Sequence, residues 1–265
     1  MPTVGHQIKS KKEILKLENK VVIVTGGSRG IGAAISKLAG QKGWSVCVNY
    51  NNSKSSADEV VNEISKSGGT AFAVAGDISN ESDVVRLFEV AESELGQLTA
   101  LVNNAGIITP QSPLVEMDVS RLQQVFNTNV IGSFLCAREA VKRMSSIRNG
   151  GGGSITNLSS AAARIGSPNE FIDYAASKGA IDTMTLGLAK EVAIEGIRVN
   201  AVRPGIIDTN LHADAGDATR PEKLKQYIPM QRVGSPEEVA RTVLWLMSQE
   251  ASYITGALVD VTGGR

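Results

Sequence analysis

From Lys20 onward the chain alternates between short β-branched runs and amphipathic stretches, and this alternation constrains the fold more than any other feature. Residues 20–25 (KVVIVT) carry consecutive apolar side chains, the pattern of a strand covered on both faces. Over 30–39, Ile31, Ala34, Ile35 and Leu38 recur at helical spacing. Further strands are predicted at 45–49, 70–75, 100–103, 154–158, 197–202 and 258–261, with helices near 54–66, 81–95, 119–146, 173–194 and 236–248. Repetition of this kind implies right-handed crossovers. The expected fold is therefore α/β, a single doubly wound parallel sheet of about seven strands with helices on both faces.

No internal repeat and no long linker divides the chain, so residues 20–265 are expected to form one domain. Residues 205–235 mix Gly, Pro and Asp with a short helical piece, the composition of a substrate loop or flap. Residues 1–19 are rich in Lys with scattered acids and precede the first strand; they are expected to be an N-terminal extension, a partly ordered tail or an oligomer arm. They lack the positive-then-apolar order of a secretion signal, and a cytoplasmic location is expected.

Charge excludes two classes of partner. Lys plus Arg equals Asp plus Glu, 27 against 27, so no basic field draws the chain to nucleic acid or anionic lipid. No apolar run approaches the roughly 18 residues of a membrane helix. His6 and His212 have no ligand partner at useful spacing, and no protein-held metal is expected. Cys47 falls in a strand pattern and Cys136 in a helical one, so both are expected to be reduced core residues.

The loop after the first strand carries the first chemistry. Gly26, Ser28, Arg29, Gly30, Ile31 and Gly32 lie between that strand and the first helix. Glycines there let the backbone approach a pyrophosphate, whose charge rests at a helix N-terminus. A dinucleotide site is therefore expected. NAD sites usually place an acid after the second strand to bond the adenosine ribose. Here that strand ends at Asn49, Tyr50, Asn51 and Asn52, with no acid. Arg29 is placed to pair with a 2′-phosphate, with Ser53 or Lys54 assisting, so NADP(H) is favoured over NAD(H).

Tyr174 and Lys178 stand four residues apart on one helical face. Bringing a phenol from about 10 to near neutrality requires roughly 4 kcal/mol. A cation about 4 Å away at an effective dielectric of about 20 supplies that much. The pair would then exchange a proton in either direction, as general acid–base work demands. Such a pair also occurs incidentally on exposed helices. Its neighbours add weight: Ser160 follows the strand at 154–158, at the carboxyl end where open sheets hold ligands. Ser160 can orient a substrate oxygen, or serve as a turn serine. Asn129 lies in the apolar stripe of Leu122, Val125, Cys136 and Ala140. There it either organises water or backbone groups behind Lys178 or is a satisfied structural amide.

Together the Thr25-Gly26-x-x-x-Gly30-x-Gly32 loop, Asn103-Asn104-Ala105-Gly106, Ser160, Tyr174-x-x-x-Lys178 and Pro204-Gly205-x-x-x-Thr209 resemble the short-chain dehydrogenase/reductase family in its NADP-preferring form. The resemblance runs from about Lys20 to the C-terminus and implies a Rossmann-type fold. It implies that Tyr174 passes a proton to a carbonyl oxygen while hydride comes from the nicotinamide. Lys178 would lower the Tyr174 pKa and hold the nicotinamide ribose, Ser160 would orient substrate, and Asn129 would maintain a relay water. It further implies cofactor contacts from Asn49 and Asn51, from Asp77 and Ile78 after the third strand, and from Asn103, Ala105 and Gly106. Pro204, Gly205, Ile207 and Thr209 would cover the nicotinamide. Homotetramers or homodimers are implied as well.

The expected function is thus an oxidoreductase acting on a small neutral carbonyl or alcohol. Substrate choice is expected to lie with residues 208–232, Ile107, Ile108, Ser167 and Phe171, where no cluster of charge is evident. A sugar or polyol dehydrogenase on the same residues stays open. A non-catalytic dinucleotide sensor would be expected to forgo Tyr174 or Lys178, and an oligomeric scaffold would be told apart by whether any cofactor binds.

Overall fold

The computed structural model describes residues 20–265; the expected extension, 1–19, lies outside them. Seven strands form one all-parallel sheet in the order β3-β2-β1-β4-β5-β6-β7. They are β1 (Val21–Val24), β2 (Ser45–Tyr50), β3 (Thr70–Ala75), β4 (Ala100–Asn103), β5 (Gly153–Leu158), β6 (Ile197–Pro204) and β7 (Leu258–Val261). The main helices are α1 (Gly30–Gln41), α2 (Lys54–Lys66), α3 (Glu81–Leu95), α4 (Val119–Phe126), α5 (Gly132–Met144), α6 (Ala162–Ile165) and α7 (Ile172–Val192). After β6 come α8 (Leu211–Asp214), α9 (Arg220–Leu224) and α10 (Pro236–Met247).

Alternation along β1 explains the two layers. Val21 and Ile23 face a core shared with Leu87 and Phe88 of α3, Cys136 of α5 and Ile181 of α7. Val22 and Val24 face the opposite core, with Ile35 of α1, Val60 of α2 and Val239 and Val243 of α10. All four β1 side chains are buried, and each such aliphatic contributes about 1.5–3 kcal/mol on leaving water. Cys47 and Cys136 are buried free thiols, and burial pushes the Cys136 thiol up to about 12. Both are core residues rather than reactive ones.

The predicted helix at 119–146 is α4, a π turn at Asn127–Ile131, and α5 in unbroken succession. Among the described residues no helix is long and apolar enough to cross a membrane, and no group of three or more His, Cys, Asp or Glu is placed to hold a metal.

The strand order reverses between β1 and β4, and the crevice at their carboxyl ends is where such sheets take ligands. Its two sides are stitched together. Thr25 Oγ1 accepts from the backbone N–H of both Asn104 and Ala105 at 3.0 Å. Asn104 Nδ2 donates back to the carbonyls of Thr25 (2.9 Å) and Gly26 (3.0 Å).

Candidate active site

Above this crevice opens a cavity of about 640 Å³, walled by the glycine-rich loop, the ends of β2 to β6, the start of α7 and the segment after β6. On its cofactor side α1 begins at Arg29, whose backbone is extended and whose side chain makes no capping bond. The first N–H groups of α1 thus lack a side-chain acceptor and meet the cavity, as an anion cradle requires. Gly26, Ser28, Arg29, Gly30 and Ile31 all line it. Gly32 does not. A Cβ there would sit 2.2 Å from the Gly26 carbonyl oxygen, so Gly32 lets α1 press against the loop from behind.

Asn49 and Asn51 line the cavity, and Asn49 also clips the loop: its Oδ1 accepts from Gly26 N at 3.2 Å and its Nδ2 donates to the Gly76 carbonyl at 3.0 Å. Asp77 and Ile78 follow in the wall, with Asp77 Oδ1 accepting from the N–H and hydroxyl of Ser79. Ala105 and Gly106 line the floor, but Asn103 lies beneath it. Its amide donates to Asn157 Oδ1 at 3.0 Å, and Asn157 donates to Thr185 at 2.8 Å, a buried tie between β4, β5 and α7.

Ser160, Tyr174 and Lys178 meet at the far end of the same cavity. Ser160 accepts from Ala162 N, which starts α6, and its hydroxyl is a hydrogen-bond partner of the Tyr174 phenol. Lys178 is 5% exposed and donates to the Leu158 carbonyl at 2.7 Å, with its Nζ 5.6 Å from the Tyr174 ring centre. Burial pushes the ammonium down to about 8, partly opposed by the Asp182 carboxylate one turn on. The phenol was expected to come down toward neutrality; instead burial pushes it up, with the Ser160 hydrogen bond opposing. The cation faces the end of β5 and is itself desolvated. Desolvation of the phenol is the larger effect on its titration.

Asn129 is fully buried behind the cavity in the π turn. Its Oδ1 accepts from Ile107 N at 2.8 Å, and its Nδ2 donates to Ile107 O at 3.0 Å and to Ser177 Oγ at 3.1 Å. Both readings left open fit this geometry: the amide is satisfied within the protein, and two of its three bonds go to backbone groups. A Cβ on Gly106 would lie 3.2 Å from Asn129 Oδ1 and 3.4 Å from Lys178 Nζ, so the bare backbone there keeps the two polar groups close.

Pro204, Gly205, Ile207 and Thr209 form the start of the roof, and all line the cavity. Ile107, Ile108, Ser167 and Phe171 line its substrate end, where Ser167 and Asn169 hold the left-handed backbone that favours glycine. Sequence patterns missed several residues. Glu170 and Arg220 stand in this wall, paired through both guanidinium terminal nitrogens at 2.7 and 2.5 Å, where no cluster of charge was expected. Behind it, Asp173 has a fully buried side chain and accepts from Arg121 Nε at 2.8 Å. Arg121 also holds the Pro110 carbonyl at 2.6 Å. These partners lie about 50 residues apart in sequence, so no local pattern reveals them.

A family model described as enoyl-(acyl carrier protein) reductase matches residues 26–265. An uncharacterized oxidoreductase of Escherichia coli strain K12, YgfF, is 51% identical over 245 residues, covering 92% of this chain and 99% of that protein. Glucose 1-dehydrogenase 2 of Bacillus subtilis strain 168 is 40% identical, over 94% of this chain and 95% of that protein. A doubly substituted Serratia marcescens short-chain dehydrogenase/reductase superposes with a TM-score of 0.86 at 35% identity, covering 94% of this chain and 98% of that one. With a parallel sheet of the same kind and a match running through the whole cleft, the chain belongs to the short-chain dehydrogenase/reductase family of oxidoreductases.

Proposed function

We propose that this protein interconverts a small neutral carbonyl compound and its alcohol with NADP(H). The observation that carries the reading is the convergence of Ser160, Tyr174 and Lys178 on one cavity that also takes in the uncapped start of α1. When bound, the nicotinamide supplies or accepts the hydride. Tyr174 gives its proton to the carbonyl oxygen in reduction and takes it back in oxidation. Ser160, already partnered with that phenol, holds the same oxygen. Lys178 supplies positive charge, and Asn129 fixes the strip from Gly106 to Ile107 against which substrate and nicotinamide pack.

Arg29 in the loop, with Asn49 and Asn51 in place of an acid after β2, supports NADP(H) over NAD(H). Mutual neutralisation of Glu170 and Arg220 supports an uncharged substrate. A sugar or polyol as substrate is the second reading, favoured by 40% identity to a relative named glucose 1-dehydrogenase. The proposal extends to one catalytic domain over 20–265 with 205–235 as its flap. It also extends to a homotetramer or homodimer, supported by exposed Val119, Ile131, Phe134 and Leu186. A cytoplasmic location, which two unpaired buried cysteines support, completes it.

The test follows NADPH and NADH oxidation across ketones, quinones, aldehydes and sugars, with Tyr174→Phe alongside. Turnover with NADPH that falls by roughly 10²–10⁴ in the variant is expected. Absence of turnover with either cofactor, or activity that survives the substitution, would overturn the reading.

A further inference from the structure

The roof meets the rest of the cleft through two ion pairs of different kind. At the substrate end, the Arg220 side chain is 13% exposed, grips both Glu170 oxygens and lies 5.1 Å over the Phe171 ring. At the cofactor end, Arg29 Nη1 meets Asp214 Oδ2 at 2.7 Å, with side chains 56% and 40% exposed. That second pair is a single wet contact, of a class that contributes little to stability. Its position gives it another meaning. Arg29 and Asp214 both line the main cavity and an adjoining space of about 260 Å³, so their contact is a strut between the glycine-rich loop and α8.

Arg29 is also the guanidinium that the NADP(H) reading assigns to the 2′-phosphate. One guanidinium fork serves a carboxylate or a phosphate equally well in shape. A phosphate monoester brings about −1.5 to −2 charge at neutral pH against the single charge of Asp214. We infer that Asp214 tunes cofactor discrimination by competing with the 2′-phosphate for Arg29. NADPH must displace the carboxylate and thereby releases the α8 end of the roof, while Arg220 and Glu170 keep the substrate end anchored. NADH carries no 2′-phosphate and leaves the strut in place. The inference rests on the NADP(H) reading of Arg29, and the two are separable by experiment.

Dissociation constants for NADPH and NADH are measured by calorimetry on the wild type, Asp214→Asn, Arg29→Ala and the double variant. Both side chains are substantially exposed and their pair is weak, so each variant is expected to fold. Loss of the competitor should tighten NADPH roughly two- to fivefold. NADH should be unchanged, and the gain should vanish in the Arg29→Ala background. If Arg29→Ala weakens NADPH but Asp214→Asn leaves it unaltered, the competition is overturned and the NADP(H) reading stands. Equal tightening of both cofactors, or a gain that persists without Arg29, also overturns the competition. If Arg29→Ala leaves NADPH binding intact, the assignment of Arg29 fails, and the inference with it.

Discussion

Lys178 holds its charge against its surroundings. Burial brings its pKa from an ordinary 10.5 to about 8, so between those values the unfolded chain binds a proton that the native one has released. Native stability therefore rises with pH across that window, and below about pH 8 the penalty is present in full. Lys178→Met, which removes the buried cation and its bond to Leu158, should be more stable than the wild type at pH 7 by on the order of 2 kcal/mol. That advantage should shrink toward pH 10. Urea unfolding at both pH values tests it, and an equal difference at the two would show that burial does not perturb the ammonium. Tyr174 and Lys178 were legible as a pair because helical spacing puts them on one face. Their environment was not, since the Leu158 carbonyl that receives the ammonium lies 20 residues away.

At the scale of elements, α2 and α3 lie where the periodicity puts them, but the π turn at Asn127–Ile131 left no mark in it. Apolar positions resume on α5 with the same core face, so the added residue is invisible until the backbone is seen. A π turn inside a helix commonly marks a functional position, and here it carries Asn129. Asn129→Ala would remove the partner of the half-buried N–H and carbonyl of Ile107 and of the buried Ser177 hydroxyl, costing about 1–3 kcal/mol. Thermal unfolding should show that loss, while Asn129→Leu, apolar and larger, should not recover it. Gly32 shows the opposite limit. The motif identifies the loop correctly, yet motif membership cannot separate glycines that face the ligand from one that faces the Gly26 backbone. The Arg121–Asp173 pair joins α4 to the first turn of α7, directly before Tyr174. Arg121→Ala would leave a buried carboxylate without its cation, a loss of about 3–5 kcal/mol measurable by denaturant unfolding. A change under 1 kcal/mol would mean that the carboxylate finds water or a proton instead.

For the whole molecule, alternation of strand and helix fixed the architecture because each crossover has one favoured hand. All seven strands point their carboxyl ends to one edge, and that edge is the cleft. The pairings across it, Thr25 with Asn104 and Asn129 with Ile107, join residues 79 and 22 positions apart, beyond the reach of any local pattern. They also divide the labour. Polar groups of the floor are largely committed to one another, whereas the roof at 205–235 is held at its two ends by backbone bonds to Val261 and Gly263 and by buried Ile207 and Ile228, and across the cleft by two ion pairs. Trading that segment for the corresponding one from a relative should redirect substrate preference while NADPH affinity stays within about tenfold, checked by calorimetry and a substrate panel. On that outcome the roof is an exchangeable part: what the cleft accepts changes over some thirty residues, while the bonds among Thr25, Asn104 and the strands beneath them stay as they are.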